Sequence, residues 1–505
     1  MHNREAIVVG SGVAGMAAAI RLAMQGFCVK VFEKNDYPGG KLSFFEKDGY
    51  RFDAGPSLFT RPHYLEELFQ DAGEDIQEFF SYKQVPLSCR YFFENGKVVN
   101  AWTDTELYEK ELTGQLGERE GTLSGYLKRS EKLYNGVGRI FLNHSLHQWK
   151  TWLQPAVRKA LGDIRFKHLF GNLHDYNRSV FSSPEAIQIF DRYATYNGSD
   201  PYQTPGMMSM IPHLELKEGT FYPEGGMISI TNALHRLAQK KGVEFFFNHP
   251  VSRILKEKNK VTGIESNGKQ YKANVIVSNS DIYFTYRHLL QMPEKAQKIL
   301  KQERSCSGVI FYWGIREAFP ELHLHNIFFS ENYQQEFNHI FQKKSLYHDP
   351  TVYINITSKL DPSHAPEGGE NWFILINAPS NPEYGWDEAI GRVRTQVIKK
   401  LSGILKRDIG SLIETEMLLD PVRIETKTGS YMGSLYGTSS NSPFAAFLRH
   451  PNFSRTFDNL YFCGGSVHPG GGIPLCFKSA EIVAKKVRED VLCSTDKESN
   501  NNILC

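Results

Sequence analysis

The segment Ala6-Ile-Val-Val-Gly10-Ser-Gly12-Val-Ala-Gly15 leaves this chain few choices of fold. Ile7, Val8 and Val9 form a short apolar run suited to a buried parallel strand. Gly10 permits a tight turn, Gly12 lets the backbone approach a pyrophosphate, and Gly15 lets helix and strand pack closely. The pattern predicts a helix from Met16 to Gln25, stopped by Gly26, with its positive N-terminal end facing a phosphate. Val29-Lys-Val-Phe32 reads as the next strand, and Glu33 at its end can accept hydrogen bonds from a ribose diol. A carboxylate there repels a 2′-phosphate, which argues against NADP. Strand, helix, terminal glycine and an acid about twenty residues on agree with one another, as a chance glycine turn would not.

A second glycine pair separates FAD from NAD. Glu33 is followed six residues later by Gly39-Gly40, then Lys41, which resembles the extended signature of two-domain FAD oxidoreductases, where that loop also passes the pyrophosphate. Near the other end, Leu460-Tyr-Phe-Cys463-Gly464-Gly465 reads as a strand entering a glycine turn, and a helix begins near Ile473. That helix aims a second positive terminus at the ligand and can stabilise the negative charge of a reduced flavin.

At 505 residues the chain is too long for one ordinary core, so two domains are expected. Between about Tyr82 and Pro212 helical patterns rich in Tyr, Phe, Leu and His dominate. A helix from Ile230 to Lys241 and strands at Val243–Phe247, Val251–Leu255, Lys260–Ile264 and Tyr271–Ser278 mark a return to α/β structure. Strands such as Ser307–Ile315 and Trp372–Ala378 belong to a second excursion. The expected organisation is a Rossmann-like α/β FAD-binding domain in three segments (1–81, 213–280, 423–491). An α+β substrate domain is inserted in two (82–212, 281–422), and a tail at 492–505 lacks structure.

Lys plus Arg (58) nearly balances Asp plus Glu (56), and no region is dense in basic residues, so nucleic acid is not an expected partner. Seven cysteines without C-x-x-C pairs fit reduced thiols in a cytosol and no zinc or other metal site. The longest apolar stretch, Ala6 to Ile20, is too short to span a bilayer. Aromatic residues make up 13%, 34 of them Phe, which suits an apolar ligand site.

With these residues in hand, the chain resembles the carotenoid desaturase family of the bacterial phytoene-desaturase type, over nearly its whole length to about Val491. The carriers are Val9–Gly15, Phe52-Asp-Ala-Gly-Pro-Ser57, Asn197-Gly-Ser-Asp-Pro-Tyr-Gln-Thr-Pro205, Tyr222-Pro-Glu-Gly-Gly226, Ser305-Cys-Ser-Gly308 and Gly464-Gly-Ser-Val-His-Pro-Gly-Gly-Gly-Ile-Pro474. The resemblance implies that Glu33 binds the adenosine ribose and that Lys41, Ser57 and Leu58 lie along the pyrophosphate and flavin. Val251 would meet the adenine through its backbone, with Asn279 nearby. Leu435, Gly465, Gly472 and Ile473 would surround the isoalloxazine, beside the phosphate-facing Gly10, Gly12, Gly15 and Gly40. For Val251 and Leu435, simple core packing is the alternative.

The terminal motif of phytoene desaturases usually reads Gly-Ala-Gly-Thr-His-Pro-Gly-Ala-Gly-Ile-Pro-Gly. Here Gly465, Ser466, Val467, Gly471 and Leu475 stand at its Ala, Gly, Thr, second Ala and final Gly positions. That looks more like relatives that desaturate the 3,4 bond of carotenoids hydroxylated at C1. The implied activity is hydride transfer from a polyene to flavin N5, with oxygen or a quinone as electron acceptor. Phytoene desaturation and carotenoid cis–trans isomerisation are the alternatives within the family. An amine or protoporphyrinogen oxidase is more distant, sharing only the nucleotide domain. Outside catalysis stands a lipid carrier on this fold, of the Rab GDP-dissociation inhibitor kind, which has no need of Glu33, Gly39-Gly40 or the terminal motif. No catalytic residue is named. His468 could relay protons, or His-Pro could be a structural turn.

A polyene substrate implies a membrane surface and a cytoplasmic, peripherally attached enzyme. Trp149, Trp152, Leu153, Ala156, Val157, Ala160 and Leu161 fall on one helical face, with Lys150, Arg158, Lys159, Arg165 and Lys167 around them. Such a basic amphipathic helix suits an interfacial anchor, and a helix packed on the core is the alternative.

Overall fold

The computed structural model describes residues 4–152, 171–380, 385–442 and 447–501, together with Pro155, Glu383 and Ala445. β1 (Glu5–Val9) passes through the glycine turn into α1 (Val13–Met24) and returns as β2 (Cys28–Phe32). They belong to a five-stranded parallel sheet in the order Leu460–Phe462, Val275–Ser278, β1, β2, Glu244–Phe246. Side chains alternate between its faces. Ala6 and Val8 pack under a helical layer made of α1, Ile228–Lys240 and the last helix. Ile7 and Val9 meet a layer resting on the antiparallel strands Val251–Glu257, Lys260–Ser266 and Lys269–Lys272. Both faces are covered, which is why β1 reads as a continuous apolar run. The fold is the expected Rossmann-like α/β architecture.

The stretch Tyr271–Ser278, read above as one strand, is two. Lys269–Lys272 pairs antiparallel with Lys260–Ser266, whereas Val275–Ser278 lies parallel to β1. The change from alternating to continuous apolar residues marks the passage from a half-exposed sheet into a buried one.

A second, seven-stranded sheet runs in the order Ile413–Leu419, Ser307–Ile315, Glu370–Ala378, Val352–Ile356, His325–Phe328, Leu87–Phe92, Val98–Trp102. Its last two strands come from the stretch where helical patterns were expected to dominate. Asn95-Gly96 at their junction, with Gly96 at φ +82, is the hairpin signal that marks them. Phe92, Phe328, Ile354 and Trp372 pack on one face against the helix Trp386–Leu405. Cys89, Tyr91, Ile327 and Phe329 point to the other, into helices from 105–216.

The final helix spans Ile473–Asn501 and continues into the tail that was expected to lack structure. No glycine or proline occurs between Glu481 and Asn501, so nothing in the sequence stops it. Cys28, Cys89, Cys306, Cys463 and Cys476 are unpaired thiols. Among the described residues no helix is long and apolar enough to cross a membrane. Of the proposed amphipathic stripe, Trp149–Trp152 forms a short helix with Trp152 exposed. Leu153, Ala156–Leu161, Arg165 and Lys167 lie outside the described residues.

Candidate functional site

The turn after β1 is held by backbone contacts that only glycine allows. Gly10, at φ +96, donates its N–H to the Phe32 carbonyl at 2.8 Å. A Cβ on Gly15 would stand 2.1 Å from the Gly10 carbonyl oxygen, so the helix can approach the strand only without one. Gly12 caps α1 and has no side chain to bond the first-turn N–H groups, which leaves them as donors for an anion. Gly12 also bridges to Gly39, and Gly40 (φ +61) passes with only the Gly12 Cα within 4 Å of where its Cβ would be.

Glu33 is buried against this turn. Its Oε2 accepts from Ser11 N at 2.8 Å and Ser11 Oγ at 2.9 Å, and its Oε1 accepts from Asn35 N at 3.0 Å. The carboxylate is therefore pre-aimed at the turn and keeps lone pairs for a diol. The Glu33 carbonyl accepts from His249 N, two residues before Val251, which opens its antiparallel strand opposite Ser266. Asn279 sits within the glycine turn. Its Nδ2 donates to the Cys463 carbonyl at 3.1 Å, and its Oδ1 lies 2.7 Å from where a Cβ on Gly12 would stand. It ties the first glycine motif to the last.

Lys41 brings the terminal segments in. Its Nζ donates to the Leu435 carbonyl at 2.9 Å and the Ser434 carbonyl at 3.5 Å. Burial pulls its pKa down to about 8, against the opposing pull of Asp281. Gly55 packs on the Lys41 carbonyl and so brings Ser57 and the half-buried Leu58 to the same wall. Gly437 packs on Ser466, and Gly465 on Gly471, so the two glycine loops close on each other. Gly472, at φ +120, has nothing within 4 Å of where a Cβ would stand, and Ile473 behind it is buried at the start of the last helix.

These features fit FAD. Two helix N-termini, an aimed carboxylate, a half-buried ammonium that among the described residues bonds carbonyls, and an open glycine-walled cradle suit a ribose, a pyrophosphate and a planar ring system. Sequence reading missed the buried Asp281–Arg304 pair at 2.6 Å, whose Arg304 Nε and Nη1 find no hydrogen-bond acceptor among the described residues. It also missed Arg449, fully enclosed and donating to the Tyr436 carbonyl at 3.0 Å. No local motif announces either.

His468 is wholly buried. Its Nε2 donates to the His144 carbonyl at 3.0 Å, and its own carbonyl accepts from Asn452 Nδ2 at 2.7 Å. Burial drives its pKa down to about 3, so the ring stays neutral. That is the geometry of a structural turn.

The family description "flavin containing amine oxidoreductase" matches residues 13–488. The chain is 50% identical, over 95% of its length and 98% of the relative's, to a 1-hydroxycarotenoid 3,4-desaturase from Flavobacterium sp. (strain P99-3). It is 32% identical, over 97% of its length and 99% of the relative's, to a 4,4′-diapolycopene oxygenase from Methylomonas sp.. Among solved structures, cyclohexylamine oxidase from Brevibacterium oxydans IH-35A shares the fold, with a TM-score of 0.61 at 15% identity over 97% of this chain and 99% of that one. The cofactor is FAD, and the enzyme is an oxidoreductase. The chain belongs to the flavin containing amine oxidoreductases, within their carotenoid desaturase branch.

Proposed function

We propose that this protein introduces a carbon–carbon double bond into a long polyene, at the 3,4 position of a carotenoid end hydroxylated at C1. The observation that carries the reading is the 50% identity to a 1-hydroxycarotenoid 3,4-desaturase across 95% of the chain. Glu33 and the N-terminus of α1 hold the adenosine and pyrophosphate, and Lys41 adds positive charge beside them. Leu435, Gly465, Gly472 and Ile473 shape the ring pocket. When bound, FAD supplies the hydride acceptor at N5. The substrate loses a hydride from one carbon and a proton from its neighbour, and oxygen or a quinone finally takes the two electrons. The polyene delocalises the developing positive charge, so orientation by the apolar walls does much of the work and no strong base is needed.

The substrate dissolves in bilayers, and exposed Trp152 beside a basic stretch supports peripheral attachment to a cytoplasmic membrane face. Anaerobic mixing of the FAD-loaded protein with a 1-hydroxylated acyclic carotenoid in liposomes tests the reading. Bleaching of oxidised flavin in step with a product two hydrogens lighter supports it. An isomerised product of unchanged mass, with no net bleaching, would make the protein an isomerase instead.

A further inference from the structure

The seven-stranded sheet turns a polar cluster towards the helices of 105–216, where a hydrocarbon needs none. Cys89 and Tyr91, His325, and Tyr353 come from three neighbouring strands and share that face by the two-residue period. Against them lies a buried ion pair, Arg192 to Glu215 at 3.2 Å, with Ser88 and Tyr193 also donating to Glu215. These residues are nearly enclosed, so each unmade hydrogen bond among them is costly.

One such bond is missing at a definable atom. His325 Nδ1 lies 2.8 Å from Tyr353 Oη and 3.2 Å from Asn355 Nδ2. The Asn355 amide cannot be turned over, because its Nδ2 also donates to the Leu324 carbonyl at 3.0 Å. Nδ1 therefore accepts from Asn355, and the proton of the neutral ring sits on Nε2. The ring stays neutral because burial, with Arg192 nearby, lowers its pKa to about 3. Nε2–H has no acceptor among the described residues, and Tyr108 Oη and Arg192 Nε in the same cluster also go unpaired.

The cluster adjoins the flavin cradle. Tyr353 Oη lies 2.8 Å from Ser57 Oγ, so two hydrogen bonds connect His325 to the loop that packs on Lys41. In the substrate of the reading above, three carbon–carbon bonds separate the hydroxyl-bearing C1 from C4. A hydroxyl bound at His325 would therefore hold C4 three carbon–carbon bonds away, on the side of the cluster where Tyr353 meets the Ser57 loop if the chain runs that way.

We infer that His325 is a specificity-determining residue whose Nε2–H donates to the tertiary hydroxyl oxygen of the carotenoid end. The inference rests on the proposed 3,4-desaturation, and it assigns recognition of the polar end to a site separate from the flavin contacts. Tyr353 and Asn355 fix the ring and leave Nε2–H as the donor.

The test compares affinities of the FAD-loaded protein in liposomes for a 1-hydroxylated carotenoid and for the same polyene lacking the hydroxyl. His325→Asn keeps an amide where Nδ1 stood and removes the Nε2 donor; His325→Gln places an amide near Nε2. The preference for the hydroxylated polyene should fall by about tenfold or more in His325→Asn and be partly restored in His325→Gln. An undiminished preference in His325→Asn, or equal weakening towards both polyenes, would overturn the inference. If the wild-type protein does not desaturate the hydroxylated polyene at all, the underlying reading fails instead. Should His325→Asn not retain FAD, the crystal structure of the wild-type complex decides. A substrate oxygen at hydrogen-bond distance from Nε2 supports the inference, and an oxygen elsewhere overturns it.

Discussion

Raising the pH through the pKa of Lys41 should loosen the grip on FAD. The ammonium is half-buried and, among the described residues, donates to the Leu435 and Ser434 carbonyls, and burial lowers its pKa from 10.5 to about 8. Each unit corresponds to about 1.4 kcal/mol, so the flavin-free fold disfavours the charged lysine by about 3 kcal/mol. The sign follows from proton counts. Between pH 8 and 10.5 the flavin-free fold binds fewer protons than the unfolded chain, so its stability rises with pH there. An anionic pyrophosphate beside Lys41 reverses the preference and draws a proton onto it, so FAD binding becomes proton-linked. With a pKa of about 8, the dissociation constant should be about tenfold larger at pH 9 than at pH 7. Titration calorimetry of flavin-free protein at both pH values, in two buffers of different ionisation enthalpy, measures the slope and the proton uptake. Lys41→Met should bind more weakly with no slope, and Lys41→Arg should bind with no slope because arginine does not deprotonate. A flat wild-type profile, or the same slope in Lys41→Met, would refute the placement of this lysine.

Gly15→Ala should destabilise the protein by about 1–3 kcal/mol or more, because its Cβ would stand 2.1 Å from the Gly10 carbonyl oxygen and must push α1 off the strand. Denaturant unfolding measures this, and an unchanged midpoint would contradict the close-packing role. His468→Asn should lower stability by about 1–3 kcal/mol through the lost Nε2 bond yet leave the shape of the pH–rate profile between pH 5.5 and 8 unaltered. Loss of a limb from that profile would restore the proton-relay role. Trp149→Glu combined with Trp152→Glu should release the protein from anionic liposomes in a flotation assay. Undiminished flotation would count against attachment through this segment.

Local signals carried the nucleotide half of the molecule. Strand, glycine turn, helix and acid all lie within Ala6–Glu33, and each position has a steric reason that can be read without a partner. Distance along the chain hid the rest. Asn279 follows an ordinary buried strand, and only folding places its amide between Gly12 and Cys463. Asp281 and Arg304 pair across 23 residues with no shared motif. Arg192, Glu215, His325 and Tyr353 meet from four segments, and a polar residue on a half-apolar strand looks alike whether it faces solvent or a buried pocket. The hairpin at Leu87–Trp102 was legible through Asn95-Gly96 but was masked by the helical patterns that follow it. The last helix overran its expected end because polarity alone does not stop a helix that meets neither glycine nor proline.

The measurement that bears most directly on the central claim is conversion of matched polyenes by the purified protein with FAD and liposomes. Phytoene, a 1-hydroxylated acyclic carotenoid and a hydroxylated monocyclic carotenoid are incubated in parallel and resolved by chromatography with absorption and mass spectra. The account predicts red-shifted products, two hydrogens lighter, from the hydroxylated carotenoids alone. Conversion of phytoene, with the hydroxylated carotenoids untouched, would contradict it.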